Sequence, residues 1–282
     1  MELSSAGHLH DREVRVFDLE QPRFQGRPIH DAHQPGYAYF LHRRHPDSLI
    51  SPDGPRSGAS GVIACMEHAG THIDALCHQP ENQTLYGGVA VDDIAGSKGF
   101  RRHGVEEIAP IVAPGVLLDI AAHRGLGSLT SGDVIGADEL RACASAQNVQ
   151  IVAGLVVLVR TGNGQFWNDA DTYLPGPGMD GAASKWLAEL HVLAVGADNL
   201  AWDAIGLHDS ELGCELPGHV HLLVRAGIYI IENVNLEALA AARRWRFSFI
   251  CTPLKFTGAT GSPVRPIAIC DAATDPGKVR AG

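Results

Sequence analysis

The sequence of 282 residues lacks long apolar segments. Its longest strongly apolar run, Ile151 to Val159, is far shorter than the roughly 20 residues that a membrane-spanning helix needs. The opening stretch MELSSAGHLHDREVRV also lacks the apolar core of a secretory signal. We therefore predict a cytoplasmic protein without a membrane partner.

Basic residues are also scarce. There are 22 Lys and Arg residues against 32 Asp and Glu residues, which leaves a net charge of −10. No basic cluster stands out that would neutralise a row of phosphates. We therefore do not expect nucleic acid as a partner.

Several motifs of covalent and nucleotide chemistry are missing. The six cysteines contain no Cys-x-x-Cys pair, and a chain of this length buries enough surface to fold without disulfides, so we predict reduced thiols. Neither a Gly-x-Ser-x-Gly nucleophile motif nor a P-loop occurs. The chemistry must come from other residues.

Helical patterns alternate with short β-branched runs from about residue 137 onward, which predicts an α/β protein. The pairs are ADELRACASAQ before IVAGLVVLVR, AASKWLAEL before HVLAVGAD, and HVHLLVRAG before IYIIEN. No linker or internal repeat divides the chain, so we predict a single domain over 1–282 with an irregular N-terminal arm at about 1–58. Within it, 22–61 should form loops that lead to a first core strand at 61–66.

Potential metal ligands are concentrated in the run EHAGTHIDALCH at 67–78, which contains His68, His72, Asp74 and His78. Neutral imidazole nitrogens and carboxylate oxygens are the ligands that borderline divalent ions accept. Isolated solvated or capping histidines are the alternative explanation, and the close grouping of four such residues argues against it. Cys77 beside His78 is a weaker candidate for nucleophilic catalysis, because neighbouring residues of an extended chain point to opposite faces.

The spacing of these residues requires a bend. Ten residues of straight strand span about 33 Å, too far for one ion. Gly70 tolerates the unusual backbone angles of a turn, which would bring His68 and His72 to within about 6 Å. His72 and Asp74 can then chelate from one extended face. We infer that His68, His72 and Asp74 bind the ion and that His78, one step further, transfers protons.

The segment resembles the signature H-x-G-T-H-x-D-x-P-x-H of the metal-dependent cyclase-like hydrolases, a family that includes bacterial kynurenine formamidase and isatin hydrolase. Leu76 stands where the signature has Pro. Stretches at 85–88, 115–122, 156–162 and 262–269 look like further landmarks of the family. The resemblance implies a swivelling β/β/α fold with a mixed sheet, a homodimer or homotetramer, and Mn²⁺ or Zn²⁺ as cofactor.

The resemblance also implies two ligands from PGHVHLLVRAGIYIIENVNLEAL, and the best-matching positions are His219 and Glu232. A helix of about eight residues runs outward about 12 Å, and a strand of about five residues returns about 16 Å, so the two ends can meet. His221 is an alternative to His219. Glu232 is either a metal ligand, a catalytic base or a solvated residue that closes its strand.

The activity implied by the resemblance is hydrolysis of an amide or lactam C–N bond, as in an arylformamide or an isatin-like cyclic amide. Metal-activated water would attack the carbonyl of this small molecule, His78 would protonate the leaving nitrogen, and Glu232 could accept a proton. Trp167 and Phe40 are candidates for contact with an aryl group. The alternatives are a lactone or ester hydrolase on the same site, a catalytically inactive metal-binding or small-molecule-binding protein, and a purely structural role.

Overall fold

A ten-stranded mixed sheet organises the computed structural model, which describes residues 4–48 and 55–272. In chain order its strands are β1 Ser4–Leu9, β2 Arg12–Asp18, β3 His72–Asp74, β4 Ile111–Asp119, β5 Val156–Arg160, β6 Ala194–Ala197, β7 Tyr229–Glu232, β8 Arg246–Cys251, β9 Gly261–Pro263 and β10 Ile267–Asp271. Their order across the sheet is β1-β2-β10-β8-β4-β5-β6-β7-β3-β9.

Strands β4 to β7 are parallel to one another and form the centre of the sheet, while the flanking strands are antiparallel. Every residue of β5, VVLVR, is buried, as expected for a parallel strand that is covered on both faces. Alternate side chains of the central strands divide between two cores, with Leu117 and Leu158 on one face and Leu118 and Val157 on the other. The predicted α/β class with a mixed sheet is confirmed.

Helices cover both faces of this sheet. They are α1 Val91–Ile94, α2 Ile120–His123, α3 Ala137–Ala146, α4 Ala170–Tyr173, α5 Gly181–Glu189, α6 Pro217–His219 with its π-helical continuation Val220–Ala226, and α7 Glu237–Ala241. Short 3-10 turns occupy Asp31–His33, His45–Ser48, Tyr86–Gly88, Val105–Glu107 and Asn163–Phe166. The three predicted helix-then-strand units are confirmed by α3 with β5, α5 with β6, and α6 with β7. None of the helices in the described ranges has the length and apolar character of a membrane span.

The N-terminal arm differs from the prediction of an irregular segment. Strands β1 and β2 pair with each other, and β2 joins the main sheet through β10. Phe17 is fully buried in the core, and Val14 is nearly so. The run REVRVFD places Val14 and Phe17 on opposite faces of a strand, a pattern that the polar flanks of the segment conceal. Residues 1–3 and 49–54 of the predicted arm lie outside the described residues.

The predicted first core strand at 61–66 and the predicted loops at 22–61 are also corrected. Ser60–Cys65 is a strand, but it pairs with Tyr37–Arg43 in a separate two-stranded hairpin. We call these two strands the exposed hairpin, because Phe40 is 56% and Ile63 66% accessible. An apolar run indicates a strand without specifying which sheet it joins. Further two-residue pairs are Thr84–Leu85 with Val89–Ala90, Ala95–Gly96 with Gly99–Phe100, Val134–Ile135 with Gly178–Met179, and His208–Asp209 with Cys214–Glu215.

Candidate metal centre

The signature segment turns at Gly70 and enters the sheet as β3. Gly70 has a φ of 69°, a left-handed conformation that glycine adopts without a steric penalty. Strand β3 is held on both sides, because His72 pairs with Glu232 of β7 and with Pro263 of β9. The predicted bend is therefore present, and it sets the signature side chains beside the carboxyl end of β7, where ligands commonly bind in such sheets.

His72 and His219 each commit one ring nitrogen to a partner outside the cluster. Nδ1 of His72 donates to the carbonyl of Gly70 at 2.7 Å, and Nδ1 of His219 donates to Asp203 Oδ2 at 2.8 Å. In each neutral ring the remaining nitrogen, Nε2, is then an acceptor. Both Nε2 atoms lie in the interior of the cluster.

His68 is also oriented by a hydrogen bond, but through its Nε2 atom rather than its Nδ1 atom. The hydroxyl of Thr260 donates to the carboxylate of Glu67, so it accepts from Nε2 of His68, at 2.8 Å. Nδ1 of His68 is therefore left as an acceptor, and it lies 2.9 Å from Asp74 Oδ1. A nitrogen lone pair and a carboxylate oxygen at this distance require a cation or a proton between them.

The acceptor atoms of five side chains converge on one small volume. Nε2 of His72 lies 3.5 Å from Asp74 Oδ1 and 3.3 Å from Glu232 Oε2. On the other side, Nε2 of His219 lies 3.6 Å from Asp74 Oδ2 and 3.5 Å from Glu232 Oε1. Asp74 is central, because each of its oxygens faces a different set of imidazoles.

Buried acceptors without donors show that these residues fit a metal ion. Nδ1 of His68, both oxygens of Asp74 and Oε1 of Glu232 are inaccessible and have no hydrogen-bond partner in the described part of the chain. The described residues contain two groups of potential ligands, and within each group the ligand atoms lie within 4.8 Å of one another. One group is His68, Asp74 and His78, and the other is His72, Asp74 and Glu232. Leaving such groups unsatisfied is costly, and a divalent ion with nitrogen and oxygen ligands removes that cost.

The electrostatics agree with a site that needs a cation. Burial acts against charge on His72 and His219, yet the nearby carboxylate of Glu232 raises the pKa of both imidazoles, and Asp203 raises that of His219 further. The same contacts lower the pKa of Glu232, despite its burial and the nearby charge of Asp74. Because a protonated imidazole nitrogen cannot bind a metal, uptake of an ion must release any proton from these nitrogens.

His78 lies at the edge of the cluster. Its ring stacks on that of His68 with centroids 4.0 Å apart and lies 6.0 Å from the ring of His219. Burial, opposed by the charge of Asp74, lowers the pKa of His78 well below its usual value, so the ring is neutral at pH 7. A neutral imidazole beside the ligands can coordinate or exchange a proton. Its predicted role in proton transfer stays a prediction.

The structure brings His219, rather than His221, into the cluster. His219 is 2% exposed, is the last residue of α6 and has its Nε2 3.6 Å from Asp74 Oδ2, whereas His221 is partly exposed. The rings differ because positions two apart on a helix face different directions. Leu76, at the signature's proline position, packs at the margin of one hydrophobic core.

Sequence reasoning missed three residues of the site, Asp203, Thr260 and His33. Asp203 orients His219, and Thr260 orients His68. No sequence motif links Asp203 to His219 or Thr260 to His68. His33, in the turn Asp31–His33, places its ring 4.8 Å from that of His68. Burial and the neighbouring His68 and His72 lower the pKa of His33 to about 4. A histidine in a loop of mixed composition carried no signal of this position.

Three of the ten non-glycine residues with a positive φ in the described chain lie next to the site. Trp202, Leu216 and Asn233 have φ values of 56°, 55° and 55°, in the left-handed region. Trp202 directly precedes Asp203, and Asn233 directly follows Glu232. Leu216 is the N-cap of the helix that ends at His219. Such conformations cost free energy and often occur where function requires a fixed side-chain position.

The two aromatic residues predicted to contact substrate occupy different environments. Trp167 is 2% exposed, donates from its indole to the carbonyl of Pro22 at 2.8 Å, and packs edge-on against Tyr173. Phe40 is 56% exposed on the exposed hairpin. The placement of Trp167 favours a packing role, and that of Phe40 leaves its ring available for contact. Their role toward a substrate stays a prediction.

Comparison with known proteins yields one family and several similar structures. The family described as putative cyclase matches residues 15–204. Kynurenine formamidase of Bacillus mycoides (strain KBAB4) is 28% identical over 207 residues, which cover 73% of this chain and 78% of that protein. The crystal structure of a novel cyclase is 27% identical with a TM-score of 0.79, covering 90% of this chain and 86% of the other. Isatin hydrolase A from Ralstonia solanacearum is 25% identical with a TM-score of 0.68, covering 92% of each chain.

Proposed function

The chain belongs to the putative cyclase family, and from this premise we propose that it is a metal-dependent hydrolase that cleaves the C–N bond of a small amide or lactam. Relatives with the names kynurenine formamidase and isatin hydrolase support this reaction class. The observation that carries the proposal is the convergence of imidazole and carboxylate acceptors around Asp74, whose oxygens receive no hydrogen bond from any described residue.

The residues proposed to hold the metal are His68, His72, Asp74, His219 and Glu232. We propose one or two Mn²⁺ or Zn²⁺ ions, since both accept these ligands. When bound, such an ion lowers the pKa of water toward about 7 and polarises a carbonyl. Each carboxylate oxygen of Asp74 lies near the imidazole of another proposed ligand, so Asp74 would bind the metal from the middle of the ligand set.

The protein's own groups would then handle the protons. Glu232, at the end of β7, would accept a proton from the attacking water. His78, a neutral imidazole at the edge of the cluster, would carry a proton to the leaving nitrogen. Asp203 would act through His219 as a positioning residue, because it fixes which nitrogen of that ring faces the centre.

The proposed substrates are arylformamides or isatin-like cyclic amides. We propose a homodimer or homotetramer, supported by the exposed apolar side chains of the hairpin, where Tyr39, Phe40, Leu41, Val62 and Ile63 are each at least 40% accessible. A cytoplasmic location is proposed from six cysteines that are all unpaired.

The test is calorimetric titration of Mn²⁺ and Zn²⁺ into chelator-stripped protein, followed by assays on a panel of amides, lactams and lactones. His72→Ala should lose metal binding and turnover together, because it removes a ligand. His78→Ala should keep the metal and lose about 10²- to 10⁴-fold in rate, the usual contribution of a general acid.

Three outcomes would count against the proposal. If wild type binds neither ion, the cluster is structural and the hydrolase proposal fails. Metal uptake without turnover of any compound would favour a binding protein. Turnover of lactones or esters alone would replace the amide substrate class. The matched control is His123→Ala, an exposed histidine at the end of α2, which should change nothing.

A further inference from the structure

Glu67 lies immediately before His68 in the signature segment and reaches that ring through the hydroxyl of Thr260. The Thr260 hydroxyl donates to Oε1 of Glu67, and Nε2 of His68 lies 2.8 Å from the same hydroxyl oxygen. Oε1 of Glu67 is 3.8 Å from Nε2 of His68, which is beyond hydrogen-bond distance. Glu67 therefore acts on the ring through Thr260.

The ring of His68 is held in place by its neighbours. It stacks on the ring of His78, with centroids 4.0 Å apart. A Cβ at Gly261 would lie 2.7 Å from Cε1 and 3.1 Å from Nδ1 of His68, so the ring packs directly against the backbone of β9. Thr260 is anchored as well, because its carbonyl accepts from the amide of Ala75 at 2.9 Å. Nε2 of His68 is thus fixed toward Thr260, and Nδ1 is fixed toward the cluster.

A neutral His68 ring carries one proton, and two arrangements of the hydrogen bonds place it on different nitrogens. In the first arrangement, the Thr260 hydroxyl donates to Glu67 and accepts from Nε2, so Nδ1 keeps its lone pair. In the second, the hydroxyl donates to Nε2, and Nδ1 carries the proton and donates to Asp74 Oδ1, 2.9 Å away. Only the first arrangement allows Nδ1 to be a ligand, because a protonated nitrogen cannot bind a metal.

The carboxylate of Glu67 selects between these two arrangements. An ionised carboxylate has acceptors only, so in the second arrangement its oxygen would face the Thr260 hydroxyl oxygen with no hydrogen between them. The first arrangement instead forms a charge-assisted hydrogen bond from the hydroxyl to the carboxylate. An amide at this position would permit the second arrangement, because its NH₂ group can donate to the hydroxyl oxygen.

We propose that Glu67 is a positioning residue that keeps His68 in the tautomer able to bind the metal. In that tautomer Nδ1 of His68 and Oδ1 of Asp74 face each other as two buried acceptors, which is costly unless a cation lies between them. Glu67 therefore favours metal binding and disfavours the metal-free protein. This inference rests on the proposed metal-dependent function and adds the residue that prepares one of its ligands.

The test is Glu67→Gln, which keeps the shape of the side chain and introduces a donor. In metal-free protein at alkaline pH, heteronuclear NMR should show Nε2 of His68 protonated in wild type and unprotonated in the variant. The signal is assigned by its loss in His68→Gln. Affinity for Mn²⁺ should fall about 10-fold in calorimetry, while the thermal midpoint of the metal-free protein should rise. Loss of an ordinary structural contact would lower both quantities.

Two further variants make the test specific. Asp169→Asn is the matched control, because Asp169 also accepts from a threonine hydroxyl, that of Thr172 at 2.7 Å, at an exposed position. It should change neither Mn²⁺ affinity nor the His68 signal. Thr260→Val removes the connecting hydroxyl, so Glu67→Gln should cause no further loss of Mn²⁺ affinity in that background.

Failure of this inference is distinguishable from failure of the proposed function, because the NMR measurement needs neither metal nor turnover. If wild type binds no metal, the proposed function fails, while the protonation of Nε2 still decides the role of Glu67. An unprotonated Nε2 in wild type, a protonated Nε2 in Glu67→Gln, or unchanged Mn²⁺ affinity in Glu67→Gln would overturn the inference. So would equal effects of Glu67→Gln with and without the Thr260 hydroxyl.

Discussion

The metal centre and the exposed hairpin show two opposite uses of short strands in one molecule. Strand β3 has three residues, all buried, and each polar side chain on it meets partners from other segments. The hairpin strands have seven and six residues, and most of their apolar side chains face outward. Length and apolar content therefore do not identify the strands that carry function. Contact with distant segments does, since it holds charged groups where water cannot solvate them.

Among residues of the buried region that are neither proposed ligands nor proposed proton carriers, the largest effect is expected at Asp203. Asp203→Asn weakens the hydrogen bond that orients His219 and removes its charge, so Mn²⁺ affinity should fall about 10- to 100-fold in calorimetric titration. Asp11→Asn, in the exposed turn between β1 and β2, is the control. Unchanged affinity would mean that the centre does not depend on this second layer of contacts.

A smaller effect is expected where the buried region is most tightly packed. A Cβ at Gly218 would lie 2.6 Å from Asp203 Oδ1 and 2.7 Å from the hydroxyl of Ser184, and both residues are buried. Gly218→Ala should lower the free energy of unfolding by about 1–3 kcal/mol, measured in urea. Gly127→Ala is the matched control, because among the described residues no atom beyond its chain neighbours lies within 4 Å of its added Cβ. Equal stability of the two variants would contradict the packing argument.

The smallest effect on the centre is expected from the exposed hairpin. The double variant Phe40→Ser with Ile63→Thr should leave Mn²⁺ affinity unchanged and alter unfolding of the monomer by no more than about 0.5 kcal/mol per substitution. Light scattering should show a smaller particle if the hairpin joins copies of this chain. Val112→Thr, on a side chain that is 71% exposed and lies outside the hairpin, should leave the particle size unchanged. Loss of metal binding in the hairpin variant would erase the contrast between the two regions.

Prediction from sequence succeeded where a pattern is local. The units of α3 with β5, α5 with β6 and α6 with β7 follow from periodicity, and the bend at Gly70 follows from the span of a strand. It failed for β1 and β2, because β2 joins the main sheet through β10, which lies at the other end of the described chain. It also failed for the hairpin, since a run of apolar residues does not state which sheet it will join.

The sequence by itself determined the chemistry available, because three histidines and an aspartate within eleven residues supply metal ligands whatever surrounds them. Only the tertiary structure decided which atoms face the centre. The tautomer and direction of each imidazole depend on its outer partner, and Asp203, Thr260 and the carbonyl of Gly70 reach those positions through the fold. The physical reason is that a hydrogen bond acts over about 3 Å in space, regardless of the distance along the chain.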